Sequence, residues 1–306
     1  MFFIFKKIFF TLPSTLISVL FTIYSFLYQK LYIKKYFKNK KFDFLEVNEL
    51  KKLDLEKPFF ILGTGTTINE LTHEEKKYIE NSNSVGINLF VLSDINPKFL
   101  TWEAPKNRDI ESLYLNILAQ KDEKFNRQNP KLLLYDNYID SKYDICKLYK
   151  HFNDIKIYSK ATIFYLKKND LAKIYHYLFH PLVLKLLGQS SVYGFQSTVD
   201  RLTNLVMVAG FKKIVFAGID LNNSSNFWDE INLDYKIRSE LDRLIYKDKN
   251  NPHSTEQKKS VISASEIIKI QNQYANSKGI KFYTTSKNSK LSSFLPQYQF
   301  PKIDHE

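Results

Sequence analysis

From Ile8 to Tyr28 the chain carries no charged residue, and a run of about 20 apolar residues is what an α-helix needs to cross a bilayer core of about 30 Å. Lys6 and Lys7 precede this run, whereas Lys30, Lys34, Lys35, Lys38, Lys40 and Lys41 follow it. The positive-inside bias then puts the larger C-terminal part in the cytoplasm. The expectation is a single-pass anchor, transmembrane over residues 8–28 within a basic segment 1–41, followed by one domain over residues 42–306. The exit Gln29-Lys30-Leu31-Tyr32 offers no small residues for signal cleavage. Thr11, Pro13, Ser14 and Thr15 dilute the first half of the run, so a helix lying in the membrane interface is the alternative.

The net charge of +13 is carried mostly by lysine, much of it beside the apolar run. That distribution fits attraction to membrane lipid, and lacks the arginine-rich, aromatic-interleaved stripe of a nucleic-acid binder. Cys146 is the only cysteine, which excludes an intrachain disulfide and a CxxC metal site.

In the body, Pro58 to Gly63 (PFFILG) is a short apolar run stopping at glycine, the pattern of a buried strand entering a tight turn. The charged stretch His73 to Glu80 reads as a solvent-facing helix. Ser84 to Leu92, Lys131 to Tyr135, Ile155 to Tyr158, Lys213 to Asp220 and Ile280 to Tyr283 read as further strands. Helices are expected around Ile110 to Gln120, from Ser197 to Gly210 and from Ile262 to Ser277. This alternation predicts an α/β, Rossmann-like, mostly parallel sheet with helices on both faces. Asp170 to Leu187, apolar, aromatic and broken at Pro181, reads as a helical insertion over about residues 160–190 that serves as a lid or acceptor platform.

The loop Gly63-Thr64-Gly65-Thr66-Thr67 follows a strand, where glycines let backbone amides approach a phosphate and hydroxyls add donors. It has neither the third glycine of a dinucleotide fingerprint nor a Gly-Lys-Ser/Thr element, and a purely structural turn is the competing reading. Asn88 lies mid-run in an apolar strand, so its amide needs a backbone or ligand partner. Asp220 ends its strand, and the carboxyl ends of parallel strands are where open α/β sheets bind ligands. Asn222 and Asn223 follow it on that edge, as ligand contacts or as a polar turn. His253, in the loop Asn250-Asn251-Pro252-His253, is a candidate general base. His176 and His180 stand one helical turn apart without a visible third ligand, and no Asp-x-Asp element marks a strand end, so no metal site is expected. Trp228 in Phe227-Trp228-Asp229-Glu230 either shapes a sugar pocket or packs in the core.

Taken in order, these landmarks resemble glycosyltransferase family 42, the bacterial lipooligosaccharide sialyltransferases. Gly63-Thr64-Gly65-Thr66-Thr67-Ile68 is similar to that family's first nucleotide loop, and Gly86-Ile87-Asn88-Leu89-Phe90 to its second strand with a nucleotide-contacting asparagine. Ser197-Thr198, Gly210-Phe211-Lys212-Lys213-Ile214 and Gly218-Ile219-Asp220 resemble its central helix and strand. Asn250 to His253 and Gly279 to Tyr283 resemble its base loop and last strand. The chain departs from the pattern at several points. Thr64 stands at the family's loop asparagine and Phe195 at its arginine. Asn222 and Asn226 fall near its two phosphate-supporting tyrosines, and an ungapped match puts Gln257 at the base position.

The resemblance implies a variant related to the GT-A architecture and an inverting, metal-independent glycosyltransferase without a resident cofactor. Its partners would be a nucleotide-sugar donor, a CMP-linked acidic sugar among the choices, and a glycan or glycolipid acceptor. His253 would be catalytic. Gly63, Thr64, Gly65, Thr66, Asn88, Ser197, Thr198 and Asp220 would bind nucleotide, and Asn222, Asn223 and Trp228 would meet the leaving group or sugar. The alternative is a non-catalytic nucleotide-binding or scaffold protein of a polysaccharide assembly complex.

Overall fold

The structure, a computed structural model, describes residues 12–37, 43–45, 47–103, 108–121, 130–135, 145–163, 167–180, 182–184, 191–194, 197–222, 225–245 and 262–301. In chain order these form α1 (Ser14–Phe37), β1 (Asp43–Phe44), β2 (Phe59–Leu62), α2 (His73–Asn81), β3 (Asn83–Ile87), β4 (Phe99–Trp102), α3 (Arg108–Ala119), β5 (Lys131–Tyr135) and β6 (Ile155–Thr162). There follow α4 (Leu171–Leu178), β7 (Ser191–Gly194), α5 (Thr198–Ala209), β8 (Lys213–Ala217), α6 (Tyr235–Ile245), α7 (Ala264–Ser277) and β9 (Lys281–Thr284).

The strands lie in the order β1-β6-β5-β4-β3-β2-β8-β9, with β7 also paired to β6, and every pairing is parallel. The sheet therefore grows in one direction from β2 to β6, after which the chain returns to set β8 on the other side of β2. That reversal is a topological switch point, and the carboxyl ends of the strands at such a point are where open α/β sheets bind ligands. Side chains alternate across the sheet with period two. Phe59, Ile61, Ile214 and Phe216 enter one core with α1, α4, α5 and α7. Phe60, Leu62, Val215 and Ala217 enter the other, with α2, α3 and α6. The result is the expected three-layer α/β arrangement.

Three of the helices start where the sequence supplies capping boxes, each of which satisfies orphan N–H groups at about 1 kcal/mol. Thr72 and Glu75 cap α2, Ser197 and Asp200 cap α5, and Ser263 and Glu266 cap α7. Gly210, at φ 102°, closes α5 in the left-handed conformation open to glycine.

Three expectations are corrected. Among the described residues no helix is long and apolar enough to cross a membrane. The part of the uncharged run from Ser14 onward forms α1, while Ile8 to Thr11 lie outside the described residues. This helix lies on the body: Val19 and Phe26 are buried in the same core as α4 and α5, and Ser14 Oγ donates to the Asp170 carboxylate that precedes α4. Ser18 and Thr22, which dilute the apolar run, sit on the buried face, their hydroxyls donating to the carbonyls of Ser14 and Ser18 at 2.8 Å. A helix apolar all round satisfies a protein core as well as it satisfies lipid, and periodicity does not separate the two.

Second, α4 is a core helix and not a lid. Leu171, Ile174, Tyr175 and Leu178 are buried in the layer shared with α1, α5 and α7. Third, β3 ends at Ile87, so Asn88 stands past the strand's carboxyl end at φ 53°. Strand β4 (FLTW), too short for an alternation signal, was not anticipated; it is defined by pairing with β3 and β5.

Candidate functional site

The carboxyl ends of β8, β2, β3 and β4 lie side by side, and the polar residues singled out in the sequence gather there in two groups. The first centres on Asp220. Strand β8 stops at Ala217, and Gly218 turns the chain at φ 65°. A Cβ at Gly218 would stand 2.6 Å from the Gly63 carbonyl oxygen, and one at Gly65 would stand 2.3 Å from Asp220 Oδ2. Glycine is required at both positions because the two loops touch backbone to backbone and backbone to carboxylate. Gly63 and Gly65 donate their N–H groups to the carbonyls of Ala217 and Gly218, each at 2.8 Å.

Within this contact the Asp220 carboxylate accepts the Thr67 hydroxyl on Oδ1 at 2.5 Å and the Thr67 N–H on Oδ2 at 3.1 Å. The Thr66 hydroxyl reaches Oδ2 at 3.4 Å. Burial pushes the Asp220 carboxyl above its usual range, an effect opposed by the Thr67 and Thr66 hydrogen bonds and reinforced by the charge of Glu70. Asp220 is thus a clamp for the loop, not an exposed ligand. The residues after the turn, Thr66–Glu70, form a short 3-10 segment, and α2 begins after Thr72, on the charged stretch expected to be helical.

Thr64 faces the other way. Its hydroxyl donates to Asn226 Oδ1 at 3.1 Å, and its carbonyl accepts the Phe227 N–H at 2.8 Å. The C-terminal segment seals the far side: Asn222 Nδ2 donates to the Asn288 carbonyl at 2.7 Å, Asn288 Nδ2 to Glu70 at 2.6 Å, and the Lys290 N–H to the Asp220 carbonyl at 2.8 Å. Asn222 therefore serves as a brace, and Trp228 packs in the second core at 5% exposure, which removes it from any sugar pocket. Asn223 and His253 lie outside the described residues.

The second group joins β3, β4 and the start of α5. Asn88 Oδ1 accepts the Glu103 N–H at 3.1 Å, and Glu103, just past β4, pairs with the guanidinium of Arg201. Arg201, 2% exposed, also donates to the Thr198 hydroxyl at 3.3 Å, while Ser197 caps the helix through the Asp200 N–H at 3.2 Å. Gly194 permits this approach, since a Cβ there would lie 2.1 Å from Arg201 Cγ. Desolvation lowers the Arg201 pKa to about 10. Asn88, Ser197 and Thr198 are thus brought into one chain of contacts by Arg201, which sequence reasoning passed over because a lone arginine within a helix carries no spacing signal.

The remaining candidates have structural partners. His176 packs edge-on to Tyr274 at 6.2 Å, and His180 Nδ1 accepts the Leu182 N–H at 3.3 Å. A cavity of about 530 Å³ lined by Lys57, Pro58, Tyr78, Lys213 and Tyr298 lies at the amino ends of β2 and β8, remote from these groups.

No protein-family model matches the chain, and no curated protein matches it. Among solved structures, the chain is similar to a variant of the sialyltransferase CST-II in complex with CMP, at 14% identity and TM-score 0.46, over 82% of this chain and 93% of that one. It is similar to the sialyltransferase CstII from Campylobacter jejuni with the substrate analogue CMP-3FNeuAc at 15% identity and TM-score 0.45, over 82% and 93%. The monofunctional alpha-2,3-sialyltransferase Cst-I from Campylobacter jejuni matches at 14% identity and TM-score 0.44, over 79% and 80%.

Proposed function

We propose that this chain is a glycosyltransferase that moves a sugar from a nucleotide-activated donor, a CMP-linked acidic sugar being the first to try, to a glycan or glycolipid acceptor at the cytoplasmic face of a membrane. One observation carries the reading. The landmarks that resemble the sialyltransferase family in sequence order, Gly63 to Thr67, Asn88, Ser197-Thr198 and Gly218 to Asp220, converge on the carboxyl edge of a parallel sheet at its switch point, where such sheets bind nucleotides.

In the proposed reaction the acceptor oxygen attacks the anomeric carbon with inversion. The bond from that carbon to the phosphate oxygen breaks, and its electron pair leaves with the nucleotide. His253 takes the acceptor's proton, as general bases do within hydrogen-bond reach. Within the Gly63 to Gly65 loop, whose glycine N–H groups are engaged with β8, the Thr64 N–H holds the nucleotide together with Asn88 and Ser197. Asn223 offsets charge on the leaving phosphate. Asp220, Thr66 and Arg201 are positioning residues, acting through the loop and through Glu103. No metal is assigned a role, and retention of activity in EDTA tests that assignment.

A nucleotide-binding or scaffold protein without transferase activity is the second reading, favoured by the engagement of Thr66 and Thr67 with Asp220, which directs those donors inward. The experiment is donor turnover by the full chain with CMP-, UDP- and GDP-sugars, with and without EDTA, beside His253→Ala. Turnover of one donor that survives EDTA and is lost in the variant supports the transferase. Nucleotide binding without turnover, with a glycolipid extract as acceptor, establishes the second reading.

A further inference from the structure

Helix α1 buries one face and exposes another that is equally apolar. Ser18, Val19, Thr22 and Phe26 face the core. On the other side Leu16, Leu20, Leu27 and Leu31 are exposed, together with Phe21, Tyr24 and Tyr28. Leu16, Leu20, Tyr24, Leu27 and Leu31 recur at three- and four-residue spacing, so they form one continuous stripe. Tyr24 is 67% and Leu31 69% exposed, and the remaining exposed large apolar residues among the described ones are Tyr177, Leu182 and Tyr235. Tyr177 belongs to α4, against which α1 packs. A contiguous apolar surface of this kind marks an interaction site.

We infer that this stripe docks in the plane of an anionic lipid surface, with α1 lying flat at the headgroup boundary instead of crossing the bilayer. Two features identify lipid as the occupant. The stripe mixes aliphatic residues with Tyr24 and Tyr28, whose rings bury an apolar body while their hydroxyls remain at the polar boundary. In sequence it leads into Lys30, Lys34 and Lys35 of the same helix, and basic residues that follow an apolar helical face are attracted to anionic headgroups. A second copy of the chain is a poorer occupant, since it would bring together two bodies each of net charge +13. The buried face explains why the helix stays in plane: to span, α1 would have to leave the core that holds Phe26.

The test is co-sedimentation of the full chain with vesicles of phosphatidylcholine alone and of phosphatidylcholine with phosphatidylglycerol. No donor or acceptor is present, so the result stands apart from the transferase reading. Binding to the anionic vesicles is expected to exceed binding to the neutral ones by at least about tenfold, falling as salt is raised. Leu20→Glu combined with Leu27→Glu lowers it by at least about tenfold, alkaline carbonate releases the wild type, and Tyr235→Glu, on α6, leaves binding unchanged. Tyr24→Asp is the second variant should the double change perturb folding, which circular dichroism reads. Binding that resists carbonate would establish a spanning helix and overturn the proposal. Unaltered binding in a folded stripe variant would overturn it as well. So would a wild type that ignores vesicles, and a dimer in size-exclusion chromatography that the same substitutions abolish would then identify a second copy as the occupant.

Discussion

Thr67 holds both oxygens of the Asp220 carboxylate, its hydroxyl on Oδ1 at 2.5 Å and its backbone N–H on Oδ2 at 3.1 Å. This relationship locks the first loop after β2 against the end of β8, and it gives the site a pH signature. The folded carboxyl sits above its ordinary value of 3.8 because burial disfavours its charge. The folded state therefore holds the proton more tightly than the unfolded state, and stability falls as pH rises from 3.8 through the folded value. Asp220→Asn removes that fall, since its amide can accept from the Thr67 N–H while donating to the Thr67 hydroxyl. Asp220→Ala leaves buried donors without an acceptor and costs about 1–3 kcal/mol. Urea denaturation of the three proteins between about pH 4 and neutrality checks the prediction, and a wild type that gains stability across that window refutes it.

Gly65→Ala places a methyl group where Asp220 Oδ2 now lies, 2.3 Å away. The loop must lift off β8, so nucleotide affinity falls by at least about tenfold, which corresponds to about 1.4 kcal/mol. Isothermal titration with CMP measures it. Gly279→Ala is the contrasting variant: at φ 71° with nothing within 4 Å it carries backbone strain without a clash, whereas Gly65, at φ −69°, meets the clash without that strain, so Gly279→Ala leaves the affinity unchanged.

Arg201→Ala removes a buried cation and its packing, while the partner Glu103 keeps 34% of its side chain exposed to water, so the loss falls below the about 3–5 kcal/mol of a fully buried pair. Arg201→Met combined with Glu103→Gln removes both charges and restores a large part of that loss. Thermal unfolding of Arg201→Met, of Glu103→Gln and of the two combined supplies the cycle. Stability losses that simply add would show that the pair is not coupled.

Phe26→Ala empties a fully buried site between α1 and the body, for which about 3–5 kcal/mol is expected. Removal of residues 1–38 uncovers the α4 and β6 side of the core, so the truncated body should lose solubility. Recovery of a monomer with unchanged unfolding midpoint would mean that α1 contributes nothing to the fold.

Most of the sheet was legible because buried parallel strands require uninterrupted apolar runs, and β2, β5 and β8 supply them between glycines and polar caps. The ends of α5 were legible too, since Ser197 carries a capping hydroxyl and Gly210, without a Cβ, admits the left-handed turn. Local composition also identified Gly63 to Thr67 and Gly218 to Asp220 as turns at strand ends. What those turns face is set by strand order, which joins residues about 150 positions apart. Thr67 therefore meets Asp220, Asn222 braces Asn288, and Trp228 enters the core, though nothing local to any of them selects those partners. The same holds for α1. Its sequence dictates a helix that must hide apolar surface; only the packing of Val19 and Phe26 over the core decides that protein covers one face. An apolar side chain is driven out of water without preference for what replaces it, so the choice between lipid and protein belongs to the tertiary structure.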